Sequence, residues 1–436
     1  MTPGAEEATR LVVVGAEEAT RLVVVGQGYV GLPLAIRACE VGFAVVGLDI
    51  DGDRVKRLGA GESTVEDIGD DRLAAALATG RYHPTTDPAD AAGFDAAIIS
   101  VPTPLREGNP DLRFIESAVG VLAEHVTEGC VVVLESTTYP GTTEELVRPI
   151  LEAGSGLVAG TDFHLGYSPE RIDPGNQDWR FENTPKVVSG IDAESLAAVE
   201  ALYGRLVETT VAVSGTKEAE LTKLLENTFR HVNIALMNEV AMFAHELGID
   251  AWEAVDAAST KPFGYLRFTP GPGVGGHCLP IDPSYLSWRV KDSLGHAFRF
   301  VELANDINAH MPDYVVRRLQ TTLNERGVPV RGRRVLLLGL AYKRNTGDAR
   351  ETPAGPIARL LTDLGADVRG ADPHVDEDAF GPEVTRVELT EAEVTAADAV
   401  VLLVDHDLFD LDLVARHATY VLDTRHALTG PAVEHL

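Results

Sequence analysis

The chain has 436 residues and a formal charge of −30. That length allows two or three domains with sizeable cores, and that charge argues against nucleic-acid or anionic-membrane partners. No apolar run is long enough to span a bilayer, no basic segment with an apolar core opens the chain, and Cys39, Cys130 and Cys278 lie far apart, so a reducing, cytoplasmic setting is expected.

Gly4 to Val14 recurs unchanged from Gly15 to Val25. With no third copy this is not a repeat architecture, and residues 1–20 are read as a redundant tail. Arg21 to Val25 is short, apolar and β-branched, as a central parallel strand should be. Gly26, Gly28 and Gly31 follow as G-x-G-x-x-G, then a helical stretch from Leu32 to Glu40, then a strand from Ala44 to Leu48 ending in Asp49. Strand before, helix after and an acid about 20 residues on make this a dinucleotide fingerprint. Tyr29 and Val30 belong to the same cofactor turn. Asp49 would accept from the adenosine ribose, which favours NAD over NADP, although Arg54 one turn later could weaken that preference.

The βα alternation continues. Asp95 to Ser100 and Cys130 to Leu134 read as buried strands, which puts Thr103 and Thr137 beyond their carboxyl ends, on the cofactor's side. Leu165 onward reads as a strand end carrying Glu170, a residue that is either a solvated turn acid or a functional carboxylate. In so acidic a chain a polyanion site must gather its own cations, so each Lys and Arg in a buried-looking position is informative.

From Thr216 to Leu247 runs the longest helical pattern, about 45 Å at 1.5 Å per residue, with Gly248 as its stop. Lys223, Asn227 and Arg230 share one face of it, either as a solvent stripe or as functional groups. Gly271 to Pro283 holds four glycines and three prolines around Cys278 and is expected to be an irregular loop. Its cysteine is either an inert thiol or a nucleophile, with Asp282 placed to orient a proton or water. After a linker near 328–333 a second α/β unit begins at Arg334. It lacks G-x-G-x-x-G, so it should bind something other than the dinucleotide, with Lys343 and Arg425 at strand ends suited to phosphates.

Gly26-Gln-Gly-Tyr-Val-Gly-Leu-Pro-Leu-Ala35, Glu135-Ser-Thr-Thr-Tyr-Pro-Gly141, Ser168-Pro-Glu170, Lys223-Leu-Leu-Glu-Asn227, Gly275-Gly-His-Cys-Leu-Pro-Ile-Asp282 and Asp348-Ala-Arg-Glu-Thr-Pro353 resemble, in order, the blocks of the UDP-glucose/GDP-mannose dehydrogenase family. The resemblance implies an α/β protein with two doubly wound, Rossmann-like domains joined by a long central helix that also forms the core of a homodimer. The NAD-binding domain would cover 21–214, the central helix, dimerisation region and cysteine loop 215–326, and the UDP-sugar-binding domain 327–436. It implies that Cys278 is the nucleophile, with Lys223, Asn227 and Asp282 as neighbours and Glu170 with Thr137 as the acid/base group. Arg171, Arg230, Gly273, Tyr342, Lys343 and Arg425 would join Glu170, Lys223 and Asn227 on the UDP-sugar, and Arg350 would meet the cofactor. Pro174 departs from the pattern, since glucose-oxidising relatives usually carry a second acid there.

These residues suit a four-electron oxidation of a primary alcohol to an acid. A thiolate traps the intermediate aldehyde as a thiohemiacetal, a thioester follows, and water releases the uronate. Lys223 and Asn227 would stabilise the oxyanions while Glu170, assisted by Asp282, moves protons. No His/Cys/Asp cluster has ligand spacing, and the chemistry needs no metal. His277 before Cys278 and Ile281 before Asp282 resemble the N-acetylhexosamine branch, where glucose- and mannose-oxidising relatives usually place Lys at the Ile281 position. The expected substrate is UDP-GlcNAc first and UDP-ManNAc second, with Arg230 donating to the acetamido carbonyl. UDP-glucose, a two-electron hydroxyacid oxidation and a non-catalytic sensor are the alternatives.

Overall fold

The computed structural model describes residues 19–436 apart from Glu66, Glu107, Pro174, Gly175, Gln177, His277 and residues 377–382, and it describes Cys278 in its backbone alone. The first copy of the duplicated segment, Pro174, His277 and the Cys278 side chain lie outside the described residues, with the expectations that fall on them. Two compact units are present. One runs to Glu226 and takes in Asp292–Leu294; the other comprises Asn227–Lys291 and Gly295–Leu436. Among the described residues no helix is long and apolar enough to cross a membrane.

In the first unit β1 (Arg21–Val25), β2 (Ala44–Leu48), β3 (Tyr82–Thr85), β4 (Ala96–Ile99), β7 (Val131–Leu134), β8 (His164–Tyr167), β9 (Lys186–Gly190) and β10 (Thr210–Ala212) form one sheet. A small hairpin of β5 (Leu105–Arg106) and β6 (Asn109–Pro110) stands apart. The sheet order is β10-β9-β8-β7-β4-β1-β2-β3. Its pairings are parallel except that of β8 with β9. Apolar runs without alternation are what such a sheet requires, because helices cover both faces. Leu22 and Val24 accordingly enter one core cluster while Val23 and Val25 enter another. Strand order reverses between β1 and β4, so the crevice beyond their carboxyl ends is the place for a ligand.

The second unit repeats the design. Its sheet runs β13 (Thr385–Arg386), β12 (Asp367–Ala371), β11 (Arg334–Leu338), β14 (Ala399–Leu402), β15 (Val421–Asp423), β16 (Val433–His435), with parallel pairing throughout. Val335 and Leu337 face one cluster, Leu336 and Leu338 the other. The switch point here lies between β11 and β14.

One continuous helix, Thr216–Glu246, supplies residues to both units. It stops where the glycine signal places the stop. Gly248 has φ 69°, and the Ile249 N–H bonds back to the Ala244 carbonyl at 2.8 Å. The expected loop from Gly271 to Pro283 is irregular only as far as Gly276. Position 278 already opens a helix, Cys278–Leu294, with Pro280 in its first turn and Pro283 inside it. Pro280 falls among the first four residues, whose N–H groups have no intrahelical partner, so it does not forbid the start; Pro283 lies past them and costs the helix one bond.

Candidate functional site

In the first unit the fingerprint forms a cradle. Gly26 has φ 93°, and a Cβ there would run into the Ser100 carbonyl oxygen across the switch point. A Cβ on Gly28 would meet nothing within 4 Å, which leaves room above the turn for a ligand. Asp49 is buried. Its Oδ2 accepts from the Gln27 N–H at 2.7 Å and from Arg54 at 2.9 Å, and its Oδ1 accepts from the Asp51 N–H at 2.9 Å. The acid that should face a ribose is therefore held rigidly, and Arg54 is engaged with it. Tyr29 and Ile50 are exposed beside this crevice and Thr103 is buried in it. Ile50 was not singled out from the sequence, yet a bare branched side chain next to the ribose acid is surface suited to an aromatic base.

The carboxyl edge of the same sheet also gathers charge. Glu170 is buried, with Oε1 accepting the N–H of Arg171 at 2.6 Å and that of Ile172, and Oε2 lying 3.1 Å from Lys186 Nζ. Burial pushes Glu170 up, but Lys186, the Glu135 hydrogen bond, Lys223 and the Ile172 N–H together hold it below the ordinary carboxylate range. Lys223, buried on the long helix, donates to the Glu170 backbone carbonyl. Arg171 reaches the Pro185 carbonyl at 2.6 Å and Glu226 at 2.5 Å.

Thr137 is half-buried in the turn after β7. That turn is tied to the long helix by Glu220, which accepts from the Gly141 N–H at 2.5 Å, the Thr143 N–H at 2.9 Å and the Thr143 hydroxyl at 2.7 Å. Glu220, Glu135 and Lys186 all escaped the sequence reading. The available signal was a lysine opening an apolar strand run in an acidic chain.

In the second unit Asn227 donates to Asp282 Oδ2 at 2.6 Å, and both are buried. The approach to position 278 is clamped from several sides. The Gly271 N–H donates to Asn238 at 2.9 Å, Asn238 to Asn308 at 2.9 Å, and the Gly276 N–H to the Arg350 carbonyl at 3.0 Å. Gly276, at φ 82°, lies so close to the Tyr342 ring that a Cβ would come within 2.6 Å of it. Gly273 packs on Pro353 and beside the Asn308 carbonyl, and Arg425 lies beside Gly271 while bonding the Leu403 carbonyl at 2.5 Å. Lys343 is half-buried after β11; Arg350 is exposed and paired with Asp348 at 2.5 Å. Arg230 is exposed, whereas Lys223 and Asn227 on the same helix are buried, so the polar face is only partly a solvent stripe.

The second switch point mirrors the first with its acid already committed. Gly339, Leu340 and Asp372 stand where Gly26, Gln27 and Asp49 stand in the other sheet. Asp372 accepts from the N–H groups of Leu340 (2.6 Å), Ala341 (2.9 Å), His374 (2.8 Å) and Val375 (3.1 Å) and from His406 Nε2 at 3.0 Å. The Asn345 N–H donates to His406 Nδ1, which places the ring proton on Nε2. Those donors saturate a carboxylate. Burial pushes Asp372 up, but His406 and the backbone N–H groups hold it far below the ordinary range. Nothing is left on it for a ribose. The remaining described thiols are inert by environment: burial pushes Cys39 up to about 12 and Cys130 up to about 11.

Comparison with known proteins places these features in a family. Residues 20–207 match the NAD binding domain of the UDP-glucose/GDP-mannose dehydrogenase family, 217–310 its central domain and 336–430 its UDP binding domain. A UDP-N-acetyl-D-mannosamine dehydrogenase of Pyrococcus horikoshii is 36% identical over 413 residues, covering 93% of this chain and 95% of that protein. A UDP-N-acetyl-D-glucosamine 6-dehydrogenase of Pseudomonas aeruginosa is 37% identical over 386 residues, covering 88% and 89%. Among solved structures, a UDP-glucose dehydrogenase of Pyrobaculum islandicum superposes with a TM-score of 0.87 at 30% identity, covering 97% of this chain and 98% of that one.

Proposed function

The chain belongs to the UDP-glucose/GDP-mannose dehydrogenase family and is an NAD-dependent oxidoreductase, and we propose that it oxidises C6 of a UDP-N-acetylhexosamine to the uronate, UDP-GlcNAc before UDP-ManNAc. The observation that carries this reading is the buried Asn227–Asp282 pair beside position 278. An amide held by a carboxylate keeps a second N–H for an oxyanion, and position 278 opens a helix, where negative charge is favoured.

The first unit's cradle fits NAD: Gly28 leaves the turn open, and Gly26, Gly31 and Asp49 would hold the dinucleotide. Two NAD molecules, bound there in turn, would supply the hydride acceptors for each uronate formed. Cys278 would attack the aldehyde and carry the thioester. Lys223 has three N–H groups and commits one to the Glu170 carbonyl, so it can stabilise oxyanions alongside Asn227. Glu170 would take the proton of the hydrolytic water, with Thr137 and Asp282 assisting. Arg171, Gly273, Tyr342, Lys343 and Arg425 would hold the UDP-sugar, Thr103 and Arg350 the cofactor, and Arg230 the acetamido group.

A second copy of the chain is the proposed partner. Leu221, Leu225, Phe229, Leu236 and Phe243 are exposed and fall within an arc of about 80° on the long helix. A large apolar stripe of that kind is rare on a monomer.

The test is NADH release against a panel of UDP-sugars. Two NADH per uronate with no free aldehyde is expected. The kcat/KM for UDP-GlcNAc should exceed that for UDP-glucose by at least about tenfold, the low end of the penalty for leaving a buried donor unpaired. Equal or reversed preference would return the assignment to UDP-glucose; one NADH with aldehyde accumulating would leave a two-electron enzyme.

A further inference from the structure

β9 is the strand that runs against its neighbour β8, and its direction has a chemical result. The antiparallel register sets Tyr167 opposite Ser189. Continued for three residues past the end of β8, it sets position 170 opposite position 186. Lys186, the first residue of β9, thus arrives at the carboxyl edge of the sheet, where Glu135 follows β7 and Glu170 follows β8.

There Lys186 Nζ is paired with Glu135 Oε1 and lies 3.1 Å from Glu170 Oε2, with all three residues buried. The Tyr203 hydroxyl lies 3.3 Å from the other Glu135 oxygen, and the rings of Phe181 and Tyr203 stand 5.5 Å and 5.4 Å from the ammonium.

The two carboxyls share one cation but differ in their other donors. Glu170 receives two backbone N–H groups and is approached by Lys223; among the described residues, Glu135 receives only Tyr203 besides Lys186. Glu135 is also fully buried, and burial pushes it up to about 8 against the pull of Lys186. A proton held in the cluster therefore belongs on Glu135, which leaves the ammonium to Glu170. A buried charge trio is seldom needed for stability, since apolar side chains of similar volume do as well.

We propose that Glu135 and Lys186 are positioning residues for Glu170: the buried pair fixes the Glu170 side chain and sets how readily it takes up a proton. This deepens the reading above and rests on Glu170 being the base of the oxidation. Among the described residues, Tyr203 and Lys223 are the other titratable groups that meet the cluster. Burial holds the Tyr203 phenol far above its usual range, and Lys223 contacts the backbone carbonyl of Glu170.

Infrared difference spectroscopy of the full chain reads carboxyl protonation without substrate. Two buried carboxyls should give C=O stretches that titrate in this range, Glu220 at about 7 and Glu135 at about 8; the second should vanish in Glu135→Gln and persist in Glu170→Gln, and the first should stay in both. In the kinetic arm, Lys186→Met removes the cation that keeps Glu170 ionised, so the Glu170 pKa rises. A base must be ionised to act, and the acid limb of kcat/KM should move up by about one pH unit or more. Lys186→Arg should restore the limb and Glu135→Gln should leave it in place. If Lys186→Met does not fold, Glu135→Gln/Lys186→Met removes the cation together with its buried partner and reads the same limb.

An unmoved limb in a folded variant lacking Lys186 overturns the proposal. So does an infrared band that disappears with Glu170 rather than with Glu135. Full activity of Glu170→Gln in an enzyme that oxidises UDP-sugars sinks the proposal alone. Absence of any UDP-sugar oxidation by the wild type sinks the function, while the infrared pattern still decides the pair.

Discussion

Asn227 and Asp282 are joined by a 2.6 Å hydrogen bond that ties the long helix to the helix opening at Cys278. Because the bond fixes the amide plane, its free N–H has one direction to offer. Asn227→Ala is expected to lower kcat by about 10²–10³-fold, the usual loss of one oxyanion donor, with UDP-sugar affinity changed only a few-fold. Steady-state kinetics with calorimetric binding checks this; a kcat within threefold of wild type would remove Asn227 from the chemistry.

Cys278→Ala should abolish uronate formation while NAD and UDP-sugar still bind. Thiol to methyl removes the nucleophile and little volume. Product analysis by mass spectrometry decides, and near-normal uronate would take the cysteine out of the mechanism.

Asp49 and Arg54 hold each other at 2.9 Å at the place where a ribose is read. Asp49→Ala should release Arg54 for a 2′-phosphate and cut the NAD over NADP preference by at least about tenfold, since charge-assisted hydrogen bonds contribute roughly 1.5–3 kcal/mol. Initial rates with each cofactor measure the ratio; an unchanged ratio means that neither residue reads the ribose.

Phe243→Glu puts a charge at the C-terminal end of the exposed stripe on the long helix. The wild type should sediment as a dimer and the variant as a monomer. A monomeric wild type would leave the stripe without its proposed occupant.

Glu220 should matter for stability although it is not assigned to the chemistry. Its two oxygens accept three donors from Gly141 and Thr143, so Glu220→Gln must turn an NH₂ toward one of them. A loss of about 1–3 kcal/mol, the cost of an unsatisfied buried group, is expected in denaturant unfolding. A change smaller than experimental error would show that the turn after β7 holds itself.

How much was legible depends on how local the signal is. β1, its glycine turn and Asp49 are written within about 30 consecutive residues, and their order alone implies the geometry. The stop at Gly248 is equally local. The start at Cys278 was hidden because prolines read as breakers unless the helix start is already known. The Glu135–Lys186–Tyr203 cluster was hidden for a deeper reason. Its members lie 51 and 68 positions from Glu135 and meet only because β9 runs opposite to β8. Strand direction at that edge has no signature within the strand itself. The exposure of Arg230 beside buried Lys223 and Asn227 likewise depends on what packs against the helix, which periodicity does not report.

The saturated Asp372 has one more consequence. A chain that carries the same architecture twice risks competing with itself, because a ligand shaped for one copy is nearly shaped for the other. Here the second copy is closed to the dinucleotide from within, by its own amides and His406. Cofactor uptake should therefore saturate at a single equivalent per chain, and excess NAD should never act as an inhibitor by occupying the sugar-nucleotide unit.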